Sequence, residues 1–340
     1  MTDAAPPKPL AVGVIFPAKK IARLLDVLEE EAGGVRFVLL DLQDPALLGA
    51  AASSPSSAEL EAAAARLAAT YGPLDALLHK LAHDMVFAGL GDVHAAARVQ
   101  LVKMYVRQNP TVRVVDPFES VQLLTDRRAA CEMLQTLLAN DCASPDATPL
   151  FRIPKFQVVD SQQNFRTLEA AVDAGDTRLP LMCKSVEACG ASTALWLWRE
   201  AEFINHSSRL FKGYVLGDLI NVAERRSLPN LVAGAAQRVH FNTQENYPTA
   251  KDFHPNADQD SQTINVHARG QDEIFAAVRA IGERLREQLQ LSLFGFDVIV
   301  ADDGAQELYV IDVNYFPSYK ELDDLSSQLR KHMKRQCGRQ

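Results

Sequence analysis

The chain reads as an α/β protein, and three features of the sequence carry that prediction. Strands and helices alternate through the N-terminal third. Further strand and helix patterns follow in the middle of the chain. Near the C-terminus an apolar hairpin, FGFDVIVADDGAQELYVIDVNYFPSY (294–319), is interrupted at regular places by polar residues. Strand–helix alternation implies parallel pairing in a small sheet covered by helices.

The first element is the buried strand LAVGVIF (10–16), leading through Pro17 into a helix. Ile21, Leu24, Leu25 and Leu28 are spaced for one apolar face, and Gly33-Gly34 stops the helix. A second strand, VRFVLLDL, comes next. Ser56 and Glu59 form the signature of a capping box for an Ala-rich helix over 57–70. The strand LDALLHK (74–80) ends in His79 and Lys80. A new unit starts at Asp116-Pro117, with a helix over 118–139 carrying Asp126 and Arg127, then a polar loop over 140–149. Strands near 150–159 and 180–184 and a helix over 166–174 continue it. The polar, turn-rich stretch 242–262 reads as a long mobile loop. A helix over 271–290 precedes the hairpin. A last helix, 322–335, ends in basic residues that suit its C-terminal dipole. The sequence contains no internal repeats.

Composition narrows the class. With 340 residues, 47% hydrophobic and 23% charged, the chain matches an ordinary globular protein of two or three domains. No apolar run reaches the ~18 residues of a membrane span, and MTDAAPPKP carries no charged-then-apolar leader pattern. Five cysteines without a CxxC spacing point to free thiols in a reducing, cytoplasmic setting. A net charge of −8 argues against nucleic-acid binding but leaves room for a locally basic pocket.

The hairpin carries the chemistry. Side chains two apart share a face of a strand, so Asp312 and Asn314 point one way while Ile311 and Val313 point the other. Asp297 falls close to register with Asp312 across the hairpin, whose turn lies at Asp302, Asp303 and Gly304. Acidic residues beside a turn are most often simply solvated. Here they break an otherwise apolar strand, LYVIDVNYF, where an unbound polar group is costly. Two carboxylates and an amide oxygen on rigid strands suit Mg²⁺, which takes a few protein oxygens together with water and phosphate. The sequence thus points to an enzyme that handles ATP, although GxxxxGK[ST], GxGxxG, HRD and DFG are all absent. Phosphates must then be held by individual side chains. Lys184 ends the strand LPLMCK, and Lys212 lies in FINHSSRLFKGYVLG; either could meet phosphate or be an ordinary surface lysine. Lys19, Lys20 and Lys80 follow strand ends, the edge where α/β sheets bind ligands, and Arg127 could make a two-pronged phosphate contact. His79 and His83, four apart, lack the third ligand and the glutamate of a zinc motif. Trp196 and Trp198 read as sheet packing.

These segments together resemble the inositol-tetrakisphosphate 1-kinase family, also called inositol 1,3,4-trisphosphate 5/6-kinases, within the ATP-grasp fold. The motifs are HKLAHD (79–84), DPFESVQLLTDR (116–127), EFINHSSRLFK (202–212), ERRSLPNL (224–231), and SLFGFDVIV with IDVNYFPSY, spread from Val12 to Leu322. The resemblance implies three units: an N-terminal domain facing inositol phosphate (1–115), a central ATP-grasp subdomain (116–204) and a C-terminal one with the metal site (205–340), the last two clamping ATP. It implies Asp297, Asp312 and Asn314 as Mg²⁺ ligands. Arg127, Lys184 and Lys212 would meet ATP phosphates, Phe203 and Ile204 would line the adenine hinge, and Ser227 would contact the nucleotide. Lys20, Lys80, Lys212, Asn314 and Ser318 would face the inositol phosphate, with Lys184, Lys212 and Asp312 serving catalysis.

The sequence departs from the family at Cys189 and Ala194, where acceptor-contacting residues usually stand, and at Arg225-Arg226-Ser227 and Phe316-Pro317-Ser318. Only about nine residues join Ala194 to Phe203, so the helix and strand before the hinge should be largely missing. The reading is a cytoplasmic, monomeric kinase that uses ATP and Mg²⁺ on a soluble inositol polyphosphate, without nucleic-acid or membrane partners. An ATP-grasp carboxylate ligase and a weakly active or non-catalytic inositol-phosphate sensor are the competing classes.

Overall fold

The computed structural model describes residues 8–49, 53–141, 148–177, 179–186, 198–231, 239, 241, 248–253 and 269–339. These residues form three sheets. The first is parallel, in the order β2-β1-β3-β4, from β1 (Leu10–Ile15), β2 (Val35–Leu39), β3 (Ala76–His79) and β4 (Arg113–Val115). β1 is buried along its whole length, as a central strand covered on both faces must be. At Gly13 a Cβ would press against the tip of the Leu74 side chain, which a larger residue would have to displace.

Helices α1 (Ala18–Glu29), α2 (Pro45–Leu48), α3 (Ser57–Tyr71), α4 (Ala82–Gly89) and α5 (Val93–Gln108) belong to this unit. The capping box at Ser56 and Glu59 forms as expected. On α1, Leu24 and Leu28 are buried but Leu25 is exposed; the inward face instead takes up Lys20.

The helix expected over 118–139 is two helices, α6 (Phe118–Leu123) and α7 (Arg127–Asp141). The break has a local cause. Asp126 accepts hydrogen bonds from the amides of Arg128 (2.7 Å) and Ala129 (3.2 Å), so it caps a new helix instead of continuing the old one.

A three-stranded antiparallel sheet follows in the order β5-β7-β6, from β5 (Phe156–Val159), β6 (Leu181–Ser185) and β7 (Trp198–Glu202), with α8 (Gln162–Asp173) beside β5. β7 corrects one expectation: the short segment before the hinge does hold a strand, which pairs with both β5 and β6. Trp198 opens β7, consistent with a place in a sheet. Trp196, Cys189 and Ala194 lie outside the described residues, as do 142–147 of the expected loop.

The last sheet, β11-β10-β8-β9, is antiparallel: β8 (Arg209–Leu216), β9 (Leu219–Arg226), β10 (Leu293–Val300) and β11 (Leu308–Tyr315). Of the segment expected as a loop over 242–262, residues 242–247 and 254–262 lie outside the described ones. The described part contains a short helix, α9 (Ala250–Phe253). α10 (Gln271–Leu289) covers β8 and β9, and α11 (Leu325–Gln336) packs beside β2, β4 and β8. One continuous apolar core runs from the parallel sheet into this last sheet, through Leu10, Leu77, Phe118, Phe211, Phe294 and Phe316. The N-terminal unit and the C-terminal sheet are thus held together by shared packing.

Candidate nucleotide and metal site

The polar interruptions of the C-terminal sheet line up across three strands. Asp297 on β10 is in register with Asp312 on β11 and with Lys212 on β8. The β10–β11 register shifts just after Asp297, a bulge that leaves both carboxylates on the same side before pairing resumes at Val298. The Lys212 ammonium donates to both oxygens of Asp297, at 2.9 and 3.0 Å. Asn314 donates its amide to Asp312 Oδ2 at 2.7 Å, which turns its carbonyl oxygen away from that carboxylate. Burial pushes the Asp297 carboxyl up from its ordinary pKa, Lys212 and Lys184 oppose the shift, and the nearby charge of Asp312 adds to it.

Side chains from the other sheet and from α7 approach the same place. Lys184 on β6 donates to the carbonyl of Ile311, next to Asp312, at 3.4 Å. Arg127, at the start of α7, donates to the Ser185 carbonyl at 2.9 Å while its Nε stands 3.9 Å from Asp312 Oδ1. Arg127 therefore bridges the end of β6 to β11, and the break in the long helix is what sets its position.

The donor set fits a hard divalent cation. Two half-buried carboxylates face each other across β10 and β11 with Asn314 beside them, and a carboxylate pair of this kind calls for positive charge. Among the described residues no three His, Cys, Asp or Glu gather into a metal-binding group. The cation would have to complete its shell with water and phosphate oxygens, as Mg²⁺ does. His79 and His83 do not form a metal pair. Buried His79 lies 3.1 Å from the Asp116 carbonyl through Nε2, and His83 packs edge-on against Phe87.

The linker from β7 to β8 holds Phe203 and Ile204, the residues expected at the hinge. The Phe203 amide donates to the Pro180 carbonyl at 3.0 Å, and the ring packs with Met182, Leu228, Leu231 and Phe253 in a small apolar cluster of its own. Ile204 offers its carbonyl to His206 Nδ1 at 2.7 Å. With that nitrogen donating, the neutral ring accepts at Nε2 from the Ser227 hydroxyl, 3.0 Å away. Burial lowers the His206 pKa and keeps the ring neutral. Ser227 is thus tied to the hinge, with its oxygen lone pairs left for another partner.

Sequence reasoning missed the groups that hold this hinge. Asp302 accepts from the Ser207 hydroxyl (2.8 Å) and from the Asn230 amide (2.6 Å), and Asn230 accepts from the amides of His206 and Ser207. Ser207 and Ser208 both adopt positive φ, and this network secures them there. The partners are up to 95 residues apart, so no local pattern announces them.

On the opposite side, Lys20 and Lys80 reach the turn that follows Asn314. Lys80 donates to the Phe316 carbonyl at 2.7 Å, and Lys20 donates to the Pro317 carbonyl while lying over the Phe316 ring. Burial, with the charges of Lys80 and Arg23, lowers the Lys20 pKa to about 7. Ser318 lies in that same turn, half-buried, and Lys19 is exposed.

Among the described residues, three sheets with Lys184 of one and Arg127 of the adjoining helix beside Asp312 on another form the arrangement of an ATP-grasp fold. The solved N5-carboxyaminoimidazole ribonucleotide synthetase in complex with ADP has the same fold: TM-score 0.56 at 12% identity, over 100% of this chain and 80% of that one. The synthetase from Staphylococcus aureus complexed with ADP matches at TM-score 0.53 and 11% identity, over 97% and 78% of the two chains.

Within that fold, residues 199–335 match the inositol 1,3,4-trisphosphate 5/6-kinase ATP-grasp domain, and the resemblance read from the motifs holds. Inositol-tetrakisphosphate 1-kinase of Xenopus laevis is 27% identical over 77% of this chain and 67% of its own length. Inositol-tetrakisphosphate 1-kinase 3 of Oryza sativa subsp. indica is 28% identical, over 78% of this chain and 72% of its own.

Proposed function

We propose that the protein is an ATP- and Mg²⁺-dependent kinase that phosphorylates a hydroxyl of a soluble inositol polyphosphate, of the inositol 1,3,4-trisphosphate 5/6-kinase and inositol 3,4,5,6-tetrakisphosphate 1-kinase type. The observation that carries this reading is the row Lys212, Asp297 and Asp312 across three strands, met by Lys184 from the facing sheet and Arg127 from α7.

Phosphoryl transfer asks a protein for positioning and charge neutralisation more than for covalent chemistry. Asp297, Asp312 and Asn314 would hold Mg²⁺, which when bound neutralises phosphate charge. Lys184 and Arg127 are anchored on β6 and α7, so their charges can lie along a polyphosphate without losing much freedom on binding. Lys212, oriented by Asp297, stands between the carboxylates and β9 and would offset charge on the transferring group. The cluster around Phe203 supplies an apolar wall for the adenine, with the backbone of Phe203 and Ile204 at its edge and Ser227 beside it. Lys20 and Lys80 would exchange their carbonyl partners in the turn 315–317 for acceptor phosphates, with Asn314 and Ser318 next to them.

We read the chain as three units, 1–115, 116–204 and 205–340, and as a cytoplasmic monomer. Among the described residues no helix is long and apolar enough to cross a membrane.

Incubation of the purified protein with Mg-ATP and a panel of inositol phosphates, followed by separation of the products, tests the reading. A more highly phosphorylated inositol is the expected product. ATP consumption only with a carboxylate acceptor would move the protein to the ligase class, and inositol-phosphate binding without turnover would make it a sensor.

A further inference from the structure

A second basic concavity lies away from this site. A cleft of about 900 Å³ opens between the turn after α1 and the outer face of α11. Five cations line it, against two carboxylates, Glu30 and Asp324. Asp324 is already committed as the N-cap of α11, accepting from the Ser327 amide at 3.3 Å. The cleft is thus positive in a chain whose net charge is −8. Its volume falls in the range of small-molecule sites, about 300–1,000 Å³.

The cations differ in how their charge is used. Arg330 is buried, and its guanidinium donates to the Val27 and Glu30 carbonyls, which secures the C-terminal end of α1. Arg335 pairs with Asp218 and Arg339 with Asp75. Lys331 and Lys334 have no ion-pair partner among the described residues; Lys331 is exposed and Lys334 half-buried. Lys334 lies three residues and Arg335 four residues after Lys331, so all three project from one helix face, where like charges disfavour the helix. Lys334 and Arg335 suit the C-terminal dipole of α11, but Lys331, a turn earlier, gains little from it.

We propose that this cleft binds a small polyphosphate anion, a second ligand site separate from the nucleotide and acceptor site. Separation follows from α1: Lys20 lies near its start and Glu30 caps its end, ten residues on, or roughly 15 Å along the helix. Concavity favours a free anion over a membrane surface. The proposal does not depend on the kinase reading, because Lys331 and Lys334 take no part in that site.

The test is calorimetric titration of the full chain with inorganic tripolyphosphate. Binding at the cleft is expected to persist in Lys212→Met, which alters only the kinase site. It is expected to weaken at least tenfold in Lys331→Glu/Lys334→Glu, while any turnover of that variant matches the parent. Neither side chain belongs to the apolar core, so the fold should hold; Lys331→Gln/Lys334→Gln, which places no acidic group at the helix C-terminus, provides a milder change with the same expected direction. Equal affinity in parent and double variant, or no binding by the parent, overturns the proposal. Vesicles containing phosphatidylinositol bisphosphate provide the other arm: capture by vesicles without tripolyphosphate binding would also overturn it.

Discussion

At the scale of single residues, charge that has nowhere else to go decides the behaviour of the site. Asp312 receives Asn314, stands near Arg127 and adjoins the backbone bond of Lys184, so it is the point where the two sheets meet electrostatically. Asp312→Ala is expected to lower kcat by at least about 10²-fold, the scale of losing one well-placed electrostatic group. Its thermal unfolding should stay near that of the parent, because the half-buried side chain supports no core packing. Undiminished turnover in this variant would remove the metal assignment.

Lys20 makes a different prediction. With its pKa lowered to about 7 by burial and by Lys80 and Arg23, the free protein holds it largely neutral at about pH 8. A phosphate brought beside it favours the ammonium form. Acceptor binding at about pH 8 should therefore take up close to one proton, and none at about pH 6, where Lys20 is already charged. Calorimetry in buffers of different ionisation heat measures this, and Lys20→Met should abolish the uptake. A proton count unchanged by Lys20→Met would remove Lys20 from the acceptor site.

At the scale of elements, the C-terminal sheet depends on a close approach that only glycine permits. Gly213 follows Lys212 on β8, and a Cβ there would fall within the ring of Phe296, the residue before Asp297. Gly213→Ala should cost about 1–3 kcal/mol, as overpacking of a filled core does. Turnover should fall as well, because Phe296 precedes Asp297 on β10 and displacing its ring disturbs the strand that carries that carboxylate. Urea denaturation measures the first effect, and Phe296→Leu in the same chain should restore part of both. An alanine variant as stable and active as the parent would mean that the register of Lys212 and Asp297 is not set by this contact.

Elements also mark where sequence patterns were legible. The capping box at Ser56, the strand of Leu10–Ile15 and the Asp297–Asp312 register were all readable, because each rests on neighbours or on a two-residue period. The break at Asp126 was not: apolar spacing continues across it, and only the capping bonds of that carboxylate reveal the stop. Nor was β7, since a strand between two others is defined by its partners.

At the scale of the molecule, one buried polar chain joins the N-terminal unit, the C-terminal sheet and the last helix. Asp116, at φ 65°, accepts from the Ser292 amide (2.6 Å) and hydroxyl (2.7 Å), and Ser292 in turn lies 2.8 Å from His332 Nε2. Burial raises the Asp116 pKa to about 6, against the hydrogen bonds from Ser292 that hold it down. Burial lowers His332 to about 4.

The signs oppose. Because the folded pKa of Asp116 lies above its unfolded value of 3.8, its contribution to stability is complete below that value and is lost as pH rises through about 6. His332 acts the other way. Its contribution is complete above 6.5 and is lost as pH falls through about 4. Asp116→Asn keeps an acceptor oxygen for Ser292 and tolerates positive φ. Its stability relative to the parent should therefore rise from about pH 4 to about pH 6 and stay level above that. Denaturant midpoints across this range measure the difference, and a flat one would mean that Asp116 is not the titrating group.

Read alone, the sequence determined the α/β class, the carboxylates on one strand face, the lysines at strand ends and the resemblance to an ATP-grasp kinase family. Each of these is written in local spacing or in motifs carried in order along the chain. The tertiary structure decided which cations meet which carboxylates: Lys212 on Asp297, Arg127 and Lys184 beside Asp312, and Lys20 and Lys80 on the turn beyond Asn314. It also decided the hinge network through Asp302 and the basic cleft beside α11. Those pairings join residues distant along the chain, and only the shared burial of the sheets brings their charges close enough to act on one another.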